Sequence, residues 1–247
     1  MKRRNLTLIL AILMTLSLML SACGSSREEV SGTVTPADNQ PATVPTGEIT
    51  PPEEPADAPV MSIGRIEGGT YTNSYLGFAI DLDSDWTYYS ADELQEIPEN
   101  VAEAFAGSEM GDTINPLTQF TDMMAENVSQ MTSVNVLYQK LDMQNRIAFA
   151  MLDDEAILDM TLEQSDAMME AYAQAGIMAT SMEKVDVTFL GEERVGLKTV
   201  STINEIPYYT LQVFEYRQGE YYAAVTFASF VEDQTDSLIT MCYPISE

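Results

Sequence analysis

Tyr71-Thr72-Asn73-Ser74-Tyr75-Leu76-Gly77-Phe78-Ala79-Ile80, running on into Asp81-Leu82-Asp83, sets the architecture of this chain. Thr70 to Asn73 reads as a short strand. From Leu76 to Asp83, Phe78, Ile80 and Leu82 alternate with Ala79, Asp81 and Asp83, the two-residue period of a strand with one buried face and one wet face. A strand pair therefore opens a folded domain that begins at Ile63 and extends to residue 247.

Downstream, Ser90 followed by Glu93 forms a capping-box pattern, and Leu94, Ile97, Val101 and Phe105 recur at helical spacing. A helix is predicted from about Ala91 to Ala106, disturbed near Pro98. Leu117, Phe120, Met124 and Val128 predict a further helical stretch, whereas Ser133 to Leu141 alternates through Val134, Val136 and Tyr138. Gln144 to Leu152 fits either strand or helix. Asp154 to Ala175 predicts a helix, with Leu158, Leu162, Met169 and Tyr172 on one face and Gly176 as its C-cap. Four strands follow, Val185 to Leu190, Arg194 to Ile203, Tyr208 to Tyr216 and Tyr221 to Phe230. Connections as short as Gln218-Gly219-Glu220 force antiparallel neighbours. A last helix starts near Asp233, so the class is α+β.

Upstream of Ile63 the composition changes. Residues 24–62 carry seven of the eleven prolines and almost no large apolar side chains, which predicts a disordered Pro/Thr/Glu-rich tether. Before it, Lys2, Arg3 and Arg4 precede the apolar run Leu6 to Met19, and Leu20-Ser21-Ala22-Cys23 reads as a lipobox. The run is shorter than the ~20 residues of a spanning helix. Residues 1–22 are thus expected to be a lipoprotein signal peptide. Cys23 is then the lipid attachment site, which places the domain at the cell membrane, lipid-anchored on the extracytoplasmic side. The alternative is an ordinary secretory signal in which Cys23 is incidental.

The formal charge is −28, and loss of residues 1–22 would make it −31. Such a field repels nucleic acid and disfavours close contact with anionic headgroups, so no nucleic-acid partner is expected. The chain has no histidine, which removes Ser-His-Asp, Cys-His and His-zinc chemistry. Only Cys23 and Cys242 are present; with the first lipidated no disulfide is expected, and Cys242 reads as a small buried residue.

The stretch Tyr71 to Ile80, followed by Trp86, resembles the opening of PsbP-like domains, approximately Y-x-N-x-x-L-G-F-x-I and then Pro-x-Gly-Trp; here Ser84 and Asp85 stand in place of Pro and Gly. Val187 to Glu192, the meander carrying Tyr221-Tyr222 and the final helix resemble the same family's second half. The resemblance implies a single antiparallel sheet backed by helices and no catalytic residues; no cofactor is expected. It also implies a role in binding partners or supporting assemblies.

Two constellations stand out as candidate sites. Asp81, Asp83 and Asp85 have the spacing that opens a calcium loop, with Asp92 at its twelfth position, but Trp86 occupies the sixth, where such a loop needs glycine. Tyr88, Tyr89, Tyr208 and Tyr221 lie at predicted strand ends and are candidates for an interface or groove, against the alternative of ordinary packing across a sheet. The expected function is a membrane-anchored, non-catalytic binding or assembly-support module with an unknown protein partner. The alternatives are a small-molecule or cation-binding accessory of an envelope transporter and a carboxylate-based envelope hydrolase.

Overall fold

A computed structural model describes residues 61–104, 119–216 and 219–245; the signal segment, Cys23, the tether up to residue 60, Phe105 and Leu117 lie outside the described residues. The opening strands are β1 (Arg65–Glu67), β2 (Thr70–Asn73) and β3 (Phe78–Asp81), joined by tight turns. They are followed by β4 (Thr87–Tyr88), helix α1 (Ala91–Ala104), β5 (Gln119–Asn127) and β6 (Thr132–Lys140). Three helices come next, α2 (Met143–Met151), α3 (Asp154–Leu162) and α4 (Ser165–Gln174). The meander is β7 (Ile177–Phe189), β8 (Glu192–Ile203), β9 (Ile206–Tyr216) and β10 (Tyr221–Phe230), and the chain closes with α5 (Thr235–Ile239) and β11 (Cys242–Pro244).

Two antiparallel sheets form, not one. The large sheet has seven strands in the order β4-β5-β6-β10-β9-β8-β7, and the small one has four, β1-β2-β3-β11. The small sheet shares one core with the large: Tyr71, Phe78 and Ile80 are buried with Val134, Val136, Leu211, Val213, Val225 and Phe227. The opposite face of the large sheet forms a second core with the helices, where Ile97, Phe149, Leu158, Met168 and Tyr172 meet Met124, Leu197, Phe214 and Tyr222. The expectation of a single sheet is corrected here, because an amphipathic strand pair buries the same residues whether it extends a sheet edge or lies across a sheet face.

The meander is fixed by its turns. Leu190 and Gly191 (φ 55° and 84°) and Asn204 and Glu205 (φ 51° and 67°) make two-residue connections with positive φ, whose twist matches that of the flanking strands. The expected helical stretch around Phe120 to Val128 is instead β5, paired with β6 along its length. Its register shifts between Thr121 and Met123, so Asp122 is an extra residue. That bulge breaks the two-residue period and spaces Phe120 and Met124 like successive turns of a helix. Residues Gln144 to Leu152 resolve as α2, capped by Asp142, whose side chain accepts from the Asn145 amide. The single helix expected from Asp154 to Ala175 is two, α3 and α4, interrupted at Glu163 and Gln164. Cys242 is buried as expected, on β11.

Candidate functional site

The residues of the calcium-like spacing sit on the outside of the molecule. Asp81 accepts from Thr70 Oγ1 at 2.6 Å and Tyr243 Oη at 3.0 Å, and Asp83 accepts from the Asp85 amide at 2.9 Å. Asp92 lies in the first turn of α1. Among the described residues no group of three or more Asp, Glu, Cys or His is placed to hold a metal.

The four tyrosines separate onto opposite faces of the large sheet. Tyr88 and Tyr221 pack on the side of the small sheet, where Tyr221 meets Phe120 and Tyr138 edge-on. Tyr88 Oη donates to the Gly69 carbonyl, and burial pushes its hydroxyl up to about 12. Tyr89 and Tyr208 are buried under the helices. The two pairs therefore lie in different cores, on opposite faces of the large sheet.

Three polar arrangements come only from the fold. The first is a clasp between the sheets. Asp122, on the β5 bulge, accepts from Tyr71 Oη at 2.6 Å, Asn73 Nδ2 at 2.9 Å and the Gly64 amide at 2.8 Å. Asn73 Nδ2 also reaches Tyr138 Oη at 2.9 Å. Burial raises the Asp122 carboxyl above its ordinary range, and the donors from Tyr71, Gly64 and Asn73 offset only part of that rise. A Cβ on Gly64 would stand 2.2 Å from the Tyr71 ring, so only glycine lets this strand approach.

The second is an open acidic recess of about 480 Å³ at the start of α3, lined by Asp153, Asp154, Glu155, Asp186 and Glu193 around Arg194. Arg194 Nη1 reaches Glu215 at 2.7 Å and Arg194 Nη2 reaches Asp154 at 2.5 Å, while the Phe214 carbonyl takes a further bond. Asp154 and Glu215 thus converge on one guanidinium, which bridges the two carboxylates.

The third lies on the helix-facing side of the large sheet. Strand register places Glu126, Ser133, Ala228, Thr210 and Thr199 in one row across five strands. The adjacent row runs Met124, Asn135, Thr226, Gln212 and Leu197. All ten residues are buried. Gln212 Nε2 donates to Thr226 Oγ1 at 3.1 Å and Tyr89 Oη to Glu126 Oε2 at 2.7 Å. Among the described residues no hydrogen-bond partner is seen for Asn135 Nδ2 and Thr210 Oγ1, nor for Thr121 Oγ1, both polar atoms of the Gln119 side chain and Tyr208 Oη on the same face. Sequence reading missed this tract because alternation marks a residue as inward-facing but says nothing about whether its hydrogen bonds are met.

Neither a protein-family model nor a curated protein matches the chain. Among solved structures, the chain is similar to the solution structure of cyanobacterial PsbP (CyanoP) from Synechocystis sp. PCC 6803, with a TM-score of 0.41, 9% identity, and coverage of 71% of this chain and 91% of that one.

Proposed function

We propose that this chain is a lipoprotein anchored at Cys23 on the extracytoplasmic side of the cell membrane, carrying a PsbP-like domain that acts as a non-catalytic binding or assembly-support module. The lipobox and the Pro-rich tether support the anchor, and the Tyr71–Ile80 motif supports the domain type. The observation that carries the non-catalytic part is Arg194, whose guanidinium holds Asp154 of the recess and the buried Glu215 beside it. A hydrolase working through a carboxylate pair needs two acids facing the substrate with nothing between them, and here a guanidinium lies between the two carboxylates and engages both. The strongly acidic surface suits a basic protein partner, whose approach it accelerates.

The test uses the full-length chain in its native membranes. Metabolic labelling with a fatty acid should mark the wild type and not Cys23→Ala, and the variant should leave the membrane fraction. Crosslinking should recover one reproducible protein partner, with recovery falling when Asp153, Glu155 and Glu193 are replaced by their amides. Unchanged membrane retention of Cys23→Ala would sink the anchor, and partner recovery insensitive to the recess would sink the basic partner.

A further inference from the structure

Helix α2 turns an apolar stripe to solvent. Met143, Ile147 and Met151 recur every four residues, the spacing that stacks side chains on one face of a helix, and they are 56%, 41% and 82% exposed. Phe149 holds the helix to the domain from the opposite face, its ring centroid 4.8 Å from that of Tyr222. A surface helix ordinarily keeps its outer face polar, so an apolar row left in water marks a contact with something outside the domain. From Met143 to Met151 the row rises about 12 Å. It then runs into the acidic recess. Met151 stands two residues before Asp153, at most about 7 Å along the backbone, and Asp153, Glu155, Asp186 and Glu193 are exposed around the recess. Arg194 holds Asp154 and Lys184 holds Glu155, whereas Asp153, Asp186 and Glu193 form no ion pair among the described residues.

We infer that the outer face of α2, together with the recess at its C-terminal end, docks a basic amphipathic helix of a protein partner. The apolar side chains of that helix lie along Met143, Ile147 and Met151, and Lys or Arg side chains of its next turn enter the recess beside Asp153, Asp186 and Glu193. The helical form follows from the row itself, since anchors at four-residue intervals match the ridge that a second helix presents. The sign of its charge follows from the recess, where carboxylates without a cation attract a basic surface and reject an acidic one. Methionine suits such a contact, because an unbranched, polarizable side chain adapts to the shape laid against it. A second copy of this chain fits less well: each copy carries a net charge of −28 and would bring its own carboxylates to the contact. Anionic headgroups are repelled for the same reason.

This assignment rests on the reading of the partner as a basic protein and adds the form in which it is held. The probe is a labelled synthetic helix of leucine and lysine with every leucine on one face, and the control has the same composition with the leucines scattered around the helix. Both are titrated by fluorescence anisotropy with the full-length Cys23→Ala chain, which offers no acyl chains to compete. The amphipathic peptide should bind at least about 10-fold more tightly than the control, the worth of one buried apolar side chain. Joint replacement of Met143, Ile147 and Met151 by Gln, a good helix former, should erase that difference and leave the circular dichroism spectrum unchanged. Joint Asp153→Asn, Asp186→Asn and Glu193→Gln should weaken both peptides alike and flatten the salt dependence, which keeps the test decisive if the stripe variant fails to fold. Equal affinity of the unsubstituted stripe for the two peptides overturns the docked helix and leaves the basic partner standing. Binding of neither peptide, or binding that ignores the acid substitutions, overturns the basic partner and this assignment with it. Dimerisation in sedimentation, or retention on phosphatidylcholine vesicles, that the Gln variant abolishes would give the stripe to a second copy or to lipid and likewise overturns the docked helix.

Discussion

Tyr71 Oη donates to Asp122 Oδ2 over 2.6 Å, and through that bond the small sheet is fastened to the bulge of the large one. The two residues come from strands of different sheets, 51 positions apart, and Asn73, Tyr138 and the Gly64 amide complete the network. Removing the hydroxyl alone tests what the clasp contributes. Tyr71→Phe keeps the buried ring against Phe78 and leaves a partly buried carboxylate one donor short. The expected loss is about 1–3 kcal/mol of unfolding free energy, read as a lower urea midpoint at unchanged slope.

Asp122 gives the clasp a pH dependence opposite to that of an ordinary surface carboxylate. Its carboxyl is raised in the folded state, chiefly by burial. The folded protein therefore holds that proton more tightly than the unfolded chain does. The contribution is complete below the unfolded carboxylate value and is lost as pH rises through the raised folded value. Relative to Asp122→Asn, the wild type should gain stability as pH falls from neutral towards 4. Paired melting curves at several pH values check this, and a difference independent of pH would remove Asp122 as the source.

Arg194 is the hinge of the acidic recess. Glu215 keeps 6% of its side-chain surface and Asp154 36%, so Glu215 is the partner that suffers when the guanidinium is removed. Arg194→Met should cost about 3 kcal/mol, since it leaves a buried carboxylate uncompensated. Adding Glu215→Gln should return part of that loss, and strict additivity in the double-mutant cycle would show that the pair is not coupled.

Cys242 is buried, and desolvation pushes its thiol up to about 12. In a Cys23→Ala background, where it is the sole thiol, it should be inert to Ellman's reagent at pH 8 in the native state and react stoichiometrically in denaturant. Rapid reaction of the native protein would place it on a mobile segment.

Much of the fold is legible in the order of the residues. The meander from Val187 to Phe230 alternates cleanly, and its short polar connections leave only antiparallel pairing, so its strands follow from local rules. The capping box at Ser90 also forms as read: Glu93 accepts from both the Ser90 amide and Ser90 Oγ, at 2.9 and 2.8 Å. β5 is not legible in this way, because its bulge at Asp122 makes a strand imitate helical spacing. The carboxylate that clasps the sheets therefore falls inside a segment whose spacing predicts a helix.

The candidate site is legible in parts only. Tyr89 and Tyr208 can be marked as aromatics near strand ends, yet no local feature shows that they lie on one face of the large sheet while Tyr88 and Tyr221 lie on the other. Glu126, Asn135 and Thr210 carry no motif at all. The registers of three strand pairings bring them onto one buried face of the large sheet, which no local feature encodes.

The sequence by itself determined the class of elements, the antiparallel meander, the absence of histidine chemistry and the acidic character, since each depends on composition or on contacts within a few residues. Only the tertiary structure decided that the opening strands form a second sheet, that Asp122 binds Tyr71, and that Arg194 bridges two acids. Those outcomes depend on which face meets which and on whether each buried polar group finds a partner. Both are long-range conditions that no local period of two or 3.6 residues encodes.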